Sequence, residues 1–157
     1  MKNSVADGKI ETLKNVQTIA DGIAVKTPGT NTFELIKKYV DGIYTVSDDE
    51  IALAILTLME QQKLVSEGAG AVPVAAVMNG KIPDIEGKKV CCLVSGGNID
   101  VTILSRVIER GLKWAAEVRL SLLLFPISRV SFSASARLLQ ITGLTLCLLI
   151  MTALTLI

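Results

Sequence analysis

Residues 90–100, VCCLVSGGNID, constrain the fold more than any other stretch of the chain. An apolar run of strand length breaks into Ser95-Gly96-Gly97-Asn98 and then resumes as an apolar-periodic segment. A short buried strand that feeds a side-chain-poor turn and then a helix is the repeating unit of α/β proteins. These proteins bind ligands at the carboxyl ends of strands and the N-termini of helices. The pattern also has a bland reading, since many such turns bind nothing and a serine after a strand is a common helix N-cap.

The preceding residues alternate in the same way. Residues 18–25 (TIADGIAV) form an apolar segment interrupted by Asp21-Gly22 and followed by the turn signal Thr27-Pro28-Gly29. Asn31 or Thr32 can cap a helix with Phe33, Ile36 and Val40 as its inward stripe. Residues 42–46 (GIYTV) are β-branched and aromatic, as a strand requires. Ser47-Asp48-Asp49-Glu50 has the spacing of a capping box, opening a helix with Ile51, Ala54, Ile55, Leu58 and Met59 on one face and an end near Lys63. Leu64-Val65 reads as a short buried strand leading into Glu67-Gly68-Ala69-Gly70, and a small-residue helix then stops at Asn79-Gly80. Residues 88–94 are the next strand, and residues 101–110 a helix closed by Gly111. Alternation of this kind implies parallel pairing with right-handed crossovers.

Composition removes several chemistries. With 157 residues the chain is long enough for one domain with a core. A net charge of +1 and 4% aromatic residues give no footprint for nucleic acid. The absence of histidine excludes Ser-His-Asp and Cys-His catalysis and the commonest metal ligand. Cys91, Cys92 and Cys147 have no metal-ligand spacing, so no metal site is expected, and a reduced, cytoplasmic protein fits best. The N-terminus lacks the apolar core of a signal peptide. Among the polar residues, Glu67 is either a carboxylate at a pocket rim or an acid favoured by a helix N-terminus. Asp21 reads as a turn residue, and Asp48, Asp49 and Glu50 as a solvated first turn. Lys26 is the nearest, weak, candidate for a reactive lysine.

Four segments occur in register: TIADGIAVKTPG (residues 18–29), VSDDEI (46–51), KLVSEGAGA (63–71) and VSGGNID (94–100). Together they resemble the second half of the catalytic domain of threonine ammonia-lyases (threonine dehydratases), nearest to the catabolic type. The wider group, which includes serine dehydratases and serine racemases, consists of fold-type-II pyridoxal-phosphate enzymes. The likeness covers about residues 1–112. It implies an α/β fold, a partial parallel-sheet fold-type-II domain, and pyridoxal phosphate as cofactor. The substrate of the parent enzyme would be a small amino acid, its product from threonine 2-oxobutanoate with ammonia, and its assembly a homo-oligomer. By the resemblance Ser95 hydrogen-bonds the cofactor's pyridine nitrogen, Gly96 and Gly97 let backbone approach the ring, and Gly22 and Glu67 line the same pocket.

The family's Schiff-base lysine segment (Ser-x-Lys-x-Arg-Gly), its substrate-carboxylate segment (Ser-x-Gly-Asn-His) and its tetraglycine phosphate loop do not occur in this sequence. A fragment inactive on its own is therefore expected, with no catalytic residue of its own. A non-enzymatic remnant that pairs with a complementary chain is the alternative.

Composition changes near Lys113. Fourteen of the fifteen acidic residues lie at or before Glu109, and residues 138–157 carry no charge. Residues 113–157 are thus expected to be an apolar tail distinct from 1–112. In one reading the tail is a frameshifted ACT-type regulatory domain. The codons of residues 126–132, PISRVSF, permit Asp, Lys, Pro, Gly, Glu or Gln, and Leu in another frame. In the other reading residues 138–157 are a membrane anchor of about 20 residues, with Arg129 and Arg137 on its cytoplasmic flank.

Overall fold

The computed structural model describes residues 1–124 and 146–150, with side chains to residue 117. Its elements in chain order are α1 (Lys2–Ala6), a 3₁₀ turn (Asp21–Ile23), α2 (Thr30–Tyr39), α3 (Asp48–Thr57) continuing as a π turn (Leu58–Gln62), α4 (Gly68–Met78), β1 (Val90–Val94), α5 (Val101–Leu124) and β2 (Leu146–Ile150). The core is a layer of helices against one strand. Ile51, Ala54 and Ile55 of α3 and Leu58 of the π turn meet Ala71, Val74 and Ala75 of α4, with Cys92 and Val94 of β1 and Val107 of α5 closing the cluster. Burial raises the Cys92 thiol pKa, and the neighbouring Cys91 adds to the effect. Cys92 is thus a packed, protonated core residue, but Cys91, expected in the core beside it, is exposed, as is Leu93: the strand buries one face only, because its side chains alternate.

The capping box forms as expected. The Glu50 amide donates to Ser47 Oγ at 3.3 Å and the Ser47 amide to Glu50 Oε2 at 2.7 Å. The π turn after α3 ends at Lys63 in the left-handed region, φ 57°. α4 stops where Asn79-Gly80 predicts: Gly80 takes φ +60°, and Asn79 Nδ2 donates to the Ala75 carbonyl at 2.8 Å.

Several expectations change. The N-cap of α2 is Gly29, not Asn31 or Thr32. Thr32 lies inside the helix, where its hydroxyl donates to the Gly29 carbonyl at 2.9 Å. Of the anticipated stripe, Phe33 is buried, Ile36 half-buried and Val40 exposed. Residues 42–46 and Leu64-Val65 form no strand, and Val65 is exposed. A strand needs a neighbour to take its backbone hydrogen bonds in a continuous ladder, and neither segment forms one among the described residues. β1 starts at Val90 rather than Lys88 and pairs in parallel with β2, Val90 opposite Leu146 through Val94 opposite Ile150.

Gly111 does not close a helix. It is buried within α5, and a Cβ there would lie 2.9 Å from the Ala52 carbonyl oxygen of α3. The boundary expected at 112–113 thus falls inside one helix. Among the described residues no helix is long and apolar enough to cross a membrane. The part of residues 138–157 that is described is the strand β2. The rest of that run, and the segment 126–132, lie outside the described residues.

Candidate functional site

The carboxyl end of β1 and the N-terminus of α4 meet through backbone. The Glu67 amide donates to the Gly96 carbonyl at 3.0 Å, and a Cβ on Gly97 would lie 3.1 Å from the Val65 carbonyl. The turn 95–97 therefore lies flat on the segment that leads into α4. Ser66, fully buried, donates its hydroxyl to the Glu67 carbonyl at 3.0 Å. It fills the space that a side chain on Gly70 would need, 2.7 Å from where that Cβ would sit.

Glu67 occupies the N-cap position of α4, but its side chain makes no capping hydrogen bond. Its carboxylate instead lies over Gly96, where a Cβ would come within 2.5 Å of Cδ and 2.6 and 2.7 Å of the two oxygens. A Cβ on Gly22 would sit 3.3 Å from Glu67 Oε1 and 3.2 Å from the Ala69 methyl. Gly22, Glu67 and Gly96 are thus brought together from residues far apart in sequence, and each glycine is where a side chain would displace the carboxylate. Ser95 stands at the exposed end of β1, and its hydroxyl has no hydrogen-bond partner among the described residues. Gly97 packs on Val65 rather than on Glu67.

A cleft of about 280 Å³ opens beside this junction, lined by Thr18, Ile19, Asp21, Glu67, Asn98 and Asp100 among others. Its walls come from the 3₁₀ turn, the α4 N-terminus and the start of α5. Three of its side chains are carboxylates, and no lysine of the chain lines it. Lys26, the sequence candidate for a reactive amine, is exposed and lies outside the cleft. Among the described residues no group of three or more Cys, Asp or Glu is arranged to hold a metal ion.

One contributor was not legible in the sequence. Asp48, read there as part of a solvated first turn, accepts from the Thr18 hydroxyl at 2.6 Å and the Ile19 amide at 3.3 Å. Glu50, read the same way, is buried and pairs with Lys81 at 2.7 Å. Burial opposes ionisation of Glu50, but the Lys81 ammonium and the Ser47 amide and hydroxyl outweigh it and hold the carboxyl below its usual range. Arg110 bridges Asp49 at 2.5 Å and Asp48 at 3.6 Å. Its bond to Asp49 raises its pKa further, against a smaller burial penalty.

Residues 1–96 match the family model described as pyridoxal-phosphate dependent enzyme. The L-threonine ammonia-lyase of Thermotoga maritima is 57% identical over 109 residues, which cover 69% of this chain and 27% of that protein. The catabolic L-threonine dehydratase of Staphylococcus aureus strain N315 is 52% identical over 100 residues, 62% of this chain and 29% of that one. Maize serine racemase has a similar structure, with a TM-score of 0.60 and 32% identity over 73% of this chain and 36% of its own. The chain therefore spans between a quarter and a third of the length of the curated relatives it matches.

The residues present fit one edge of pyridoxal phosphate. An exposed neutral hydroxyl at Ser95 and two side-chain-free residues beside it suit the ring nitrogen and ring face. The acid-lined cleft, without a lysine, does not suit the phosphate. With the match extending over residues 1–96, the chain belongs to the family of pyridoxal-phosphate dependent enzymes.

Proposed function

We propose that this chain forms one wall of the cofactor site of a threonine ammonia-lyase, which converts L-threonine to 2-oxobutanoate and ammonia. The observation that carries the reading is the meeting of Gly22, Glu67 and Gly96 beside the exposed Ser95 hydroxyl at the carboxyl end of β1. The names of the relatives supply the reaction, and the racemase neighbour warns that the fold alone does not choose it. In this reading residues 1–112 are the catalytic part and residues 113–157 a tail of different composition, although the boundary falls within α5 and β2 of the tail pairs with β1.

When bound, pyridoxal phosphate withdraws electrons from the substrate's α-carbon, so that its proton and then its β-hydroxyl can leave. The residues of this chain serve that chemistry by holding and orienting. The Ser95 hydroxyl would hold the ring nitrogen by donating a hydrogen bond without giving up a full proton, which would keep electron withdrawal moderate. That suits an elimination, in which the carbanion need not persist. Gly96 and Gly97 leave room for the ring to approach the backbone. Glu67, held over Gly96, places a negative charge in the cleft, and with Asp21 and Asp100 it favours the cationic amino group of an amino acid over an anionic group. In this reading the amine that anchors the cofactor and the groups that bind its phosphate come from another chain, since the family's lysine segment and tetraglycine loop do not occur in this sequence.

The test is complementation. The full chain is mixed with the upstream portion of the Thermotoga maritima relative and pyridoxal phosphate, and 2-oxobutanoate is followed. Turnover is expected from the mixture and not from the chain alone. Ser95→Ala should lower it roughly ten- to a hundredfold, the scale of one lost hydrogen bond to the reacting system. Threonine turnover by the chain alone through a lysine adduct, or full activity of Ser95→Ala, would overturn the reading. DNA flanking the reading frame tests the division at 112–113: an Asp-Lys-Pro-Gly segment in another frame supports it, and its absence counts against a frameshift.

A further inference from the structure

We infer that Asp48 is a positioning residue for the cleft wall formed by residues 18–23. The inference rests on the proposal that this cleft is the cofactor wall. The wall is an irregular segment with few internal hydrogen bonds: the Ile23 amide donates to Ala20 at 3.1 Å and the Ala24 amide to Asp21 at 3.0 Å. Asp48 ties it to the core. Its Oδ1 accepts from Thr18 Oγ1 at 2.6 Å and the Ile19 amide at 3.3 Å, while Thr18 Oγ1 in turn accepts from the Ala20 amide at 3.1 Å. One carboxylate oxygen thus organises three consecutive residues, of which Thr18 and Ile19 line the cleft.

Helix capping does not account for this arrangement. Asp48 is the first residue of α3, but Ser47 and Glu50 already close the capping box, so its carboxylate is not needed there. Asp49 is the internal control. It has the same charge at the same helix end, where both acids gain from the helix dipole, but it makes no hydrogen bond to residues 18–23. Arg110 reaches from α5 to both, Nη1 to Asp48 Oδ2 at 3.6 Å and Nε to Asp49 Oδ1 at 2.5 Å. Its placement leaves Asp48 Oδ1 turned toward the wall. On the far side α4 begins with Gly68, whose missing side chain lets the helix N-terminus lie directly on the Ile19 carbonyl. The wall is therefore pinned between the α4 backbone and the Asp48 carboxylate.

Site-resolved amide hydrogen exchange on the full chain without cofactor tests this. In Asp48→Ala the Ile19, Ala20 and Ile23 amides should lose roughly tenfold or more of their protection together, as expected for losing bonds to a charged acceptor. Ile51 and Ile55 in the core should stay within about threefold, which separates repositioning from general destabilisation. Asp48→Asn, whose amide oxygen can still accept from Thr18 and Ile19, should restore most of the protection. Asp49→Ala should leave all three wall amides unchanged. The inference fails if only Ile19 responds, because the bond would then be local. It also fails if Asp49→Ala matches Asp48→Ala, or if protection falls equally in the core. Because no cofactor is present, a negative result here is distinct from failure of the complementation test.

Discussion

Replacing Gly111 with alanine puts a sequence rule and a packing constraint in direct opposition. In the interior of a helix, alanine is favoured over glycine by about 1 kcal/mol, so α5 alone should gain stability. The structure predicts the reverse. The new Cβ would lie 2.9 Å from the Ala52 carbonyl oxygen, 3.2 Å from its carbonyl carbon and 3.3 Å from Leu56 Cβ. Two of these atoms are backbone of α3, whose Ala52 is fully buried, so neither can rotate away. Relief requires α5 to move off α3 by several tenths of an ångström along the most extensive helix contact among the described residues. Overpacking of this kind costs about 1–3 kcal/mol. The net effect is a destabilisation of about 0–2 kcal/mol, centred near 1. With a urea slope of about 2 kcal/mol/M, that is a midpoint lowered by about 0.5 M at unchanged slope. Leu112→Ala, at an exposed neighbouring position, serves as the control and should change stability by no more than about 0.5 kcal/mol. A midpoint that rises for Gly111→Ala would show that the two helices do not touch there and that glycine serves only as a flexible point.

Two further outcomes follow from the site and its support. Gly96→Ala places a Cβ 2.5 Å from Glu67 Cδ, so the carboxylate must swing out of the cleft. Because a glutamate side chain can rotate, the fold should change by less than about 1 kcal/mol, while cofactor retention by the complemented enzyme should fall at least roughly tenfold. Unchanged retention would remove Glu67 from the site. The Glu50 carboxyl titrates below its ordinary 4.5, so its contribution to stability is complete above that pH and is lost as pH falls through the lowered folded value. Glu50→Gln should therefore cost about 1–3 kcal/mol at pH 7 by urea unfolding, and the gap to the wild type should narrow in acid. A gap that is constant between pH 7 and 3 would mean that the Lys81 pair contributes nothing.

Local features of this protein were legible in its sequence because they depend only on neighbouring residues. The capping box at Ser47 and Glu50, the stop at Asn79-Gly80, the strand ending at Val94 (though only one of its faces is buried) and the turn at Ser95-Gly96-Gly97 each involve residues within a few positions of one another. The four motifs in register were also enough to indicate the family. Tertiary structure decided the rest. The strands expected at 42–46 and 64–65 did not form, since pairing is a contract with a distant segment and no propensity supplies one. Glu67 had two equal readings in sequence. Only the approach of β1 to α4 laid its carboxylate over Gly96 instead of on the helix amides. Asp48 and Gly111 show the same limit: a first-turn acid and a glycine after a helical run have standard local meanings. What each does here is set by Thr18, thirty residues away, and by Ala52, across a helix interface. Local hydrogen-bond chemistry is written along the chain, whereas the contacts that shape this site exist only once the chain has folded.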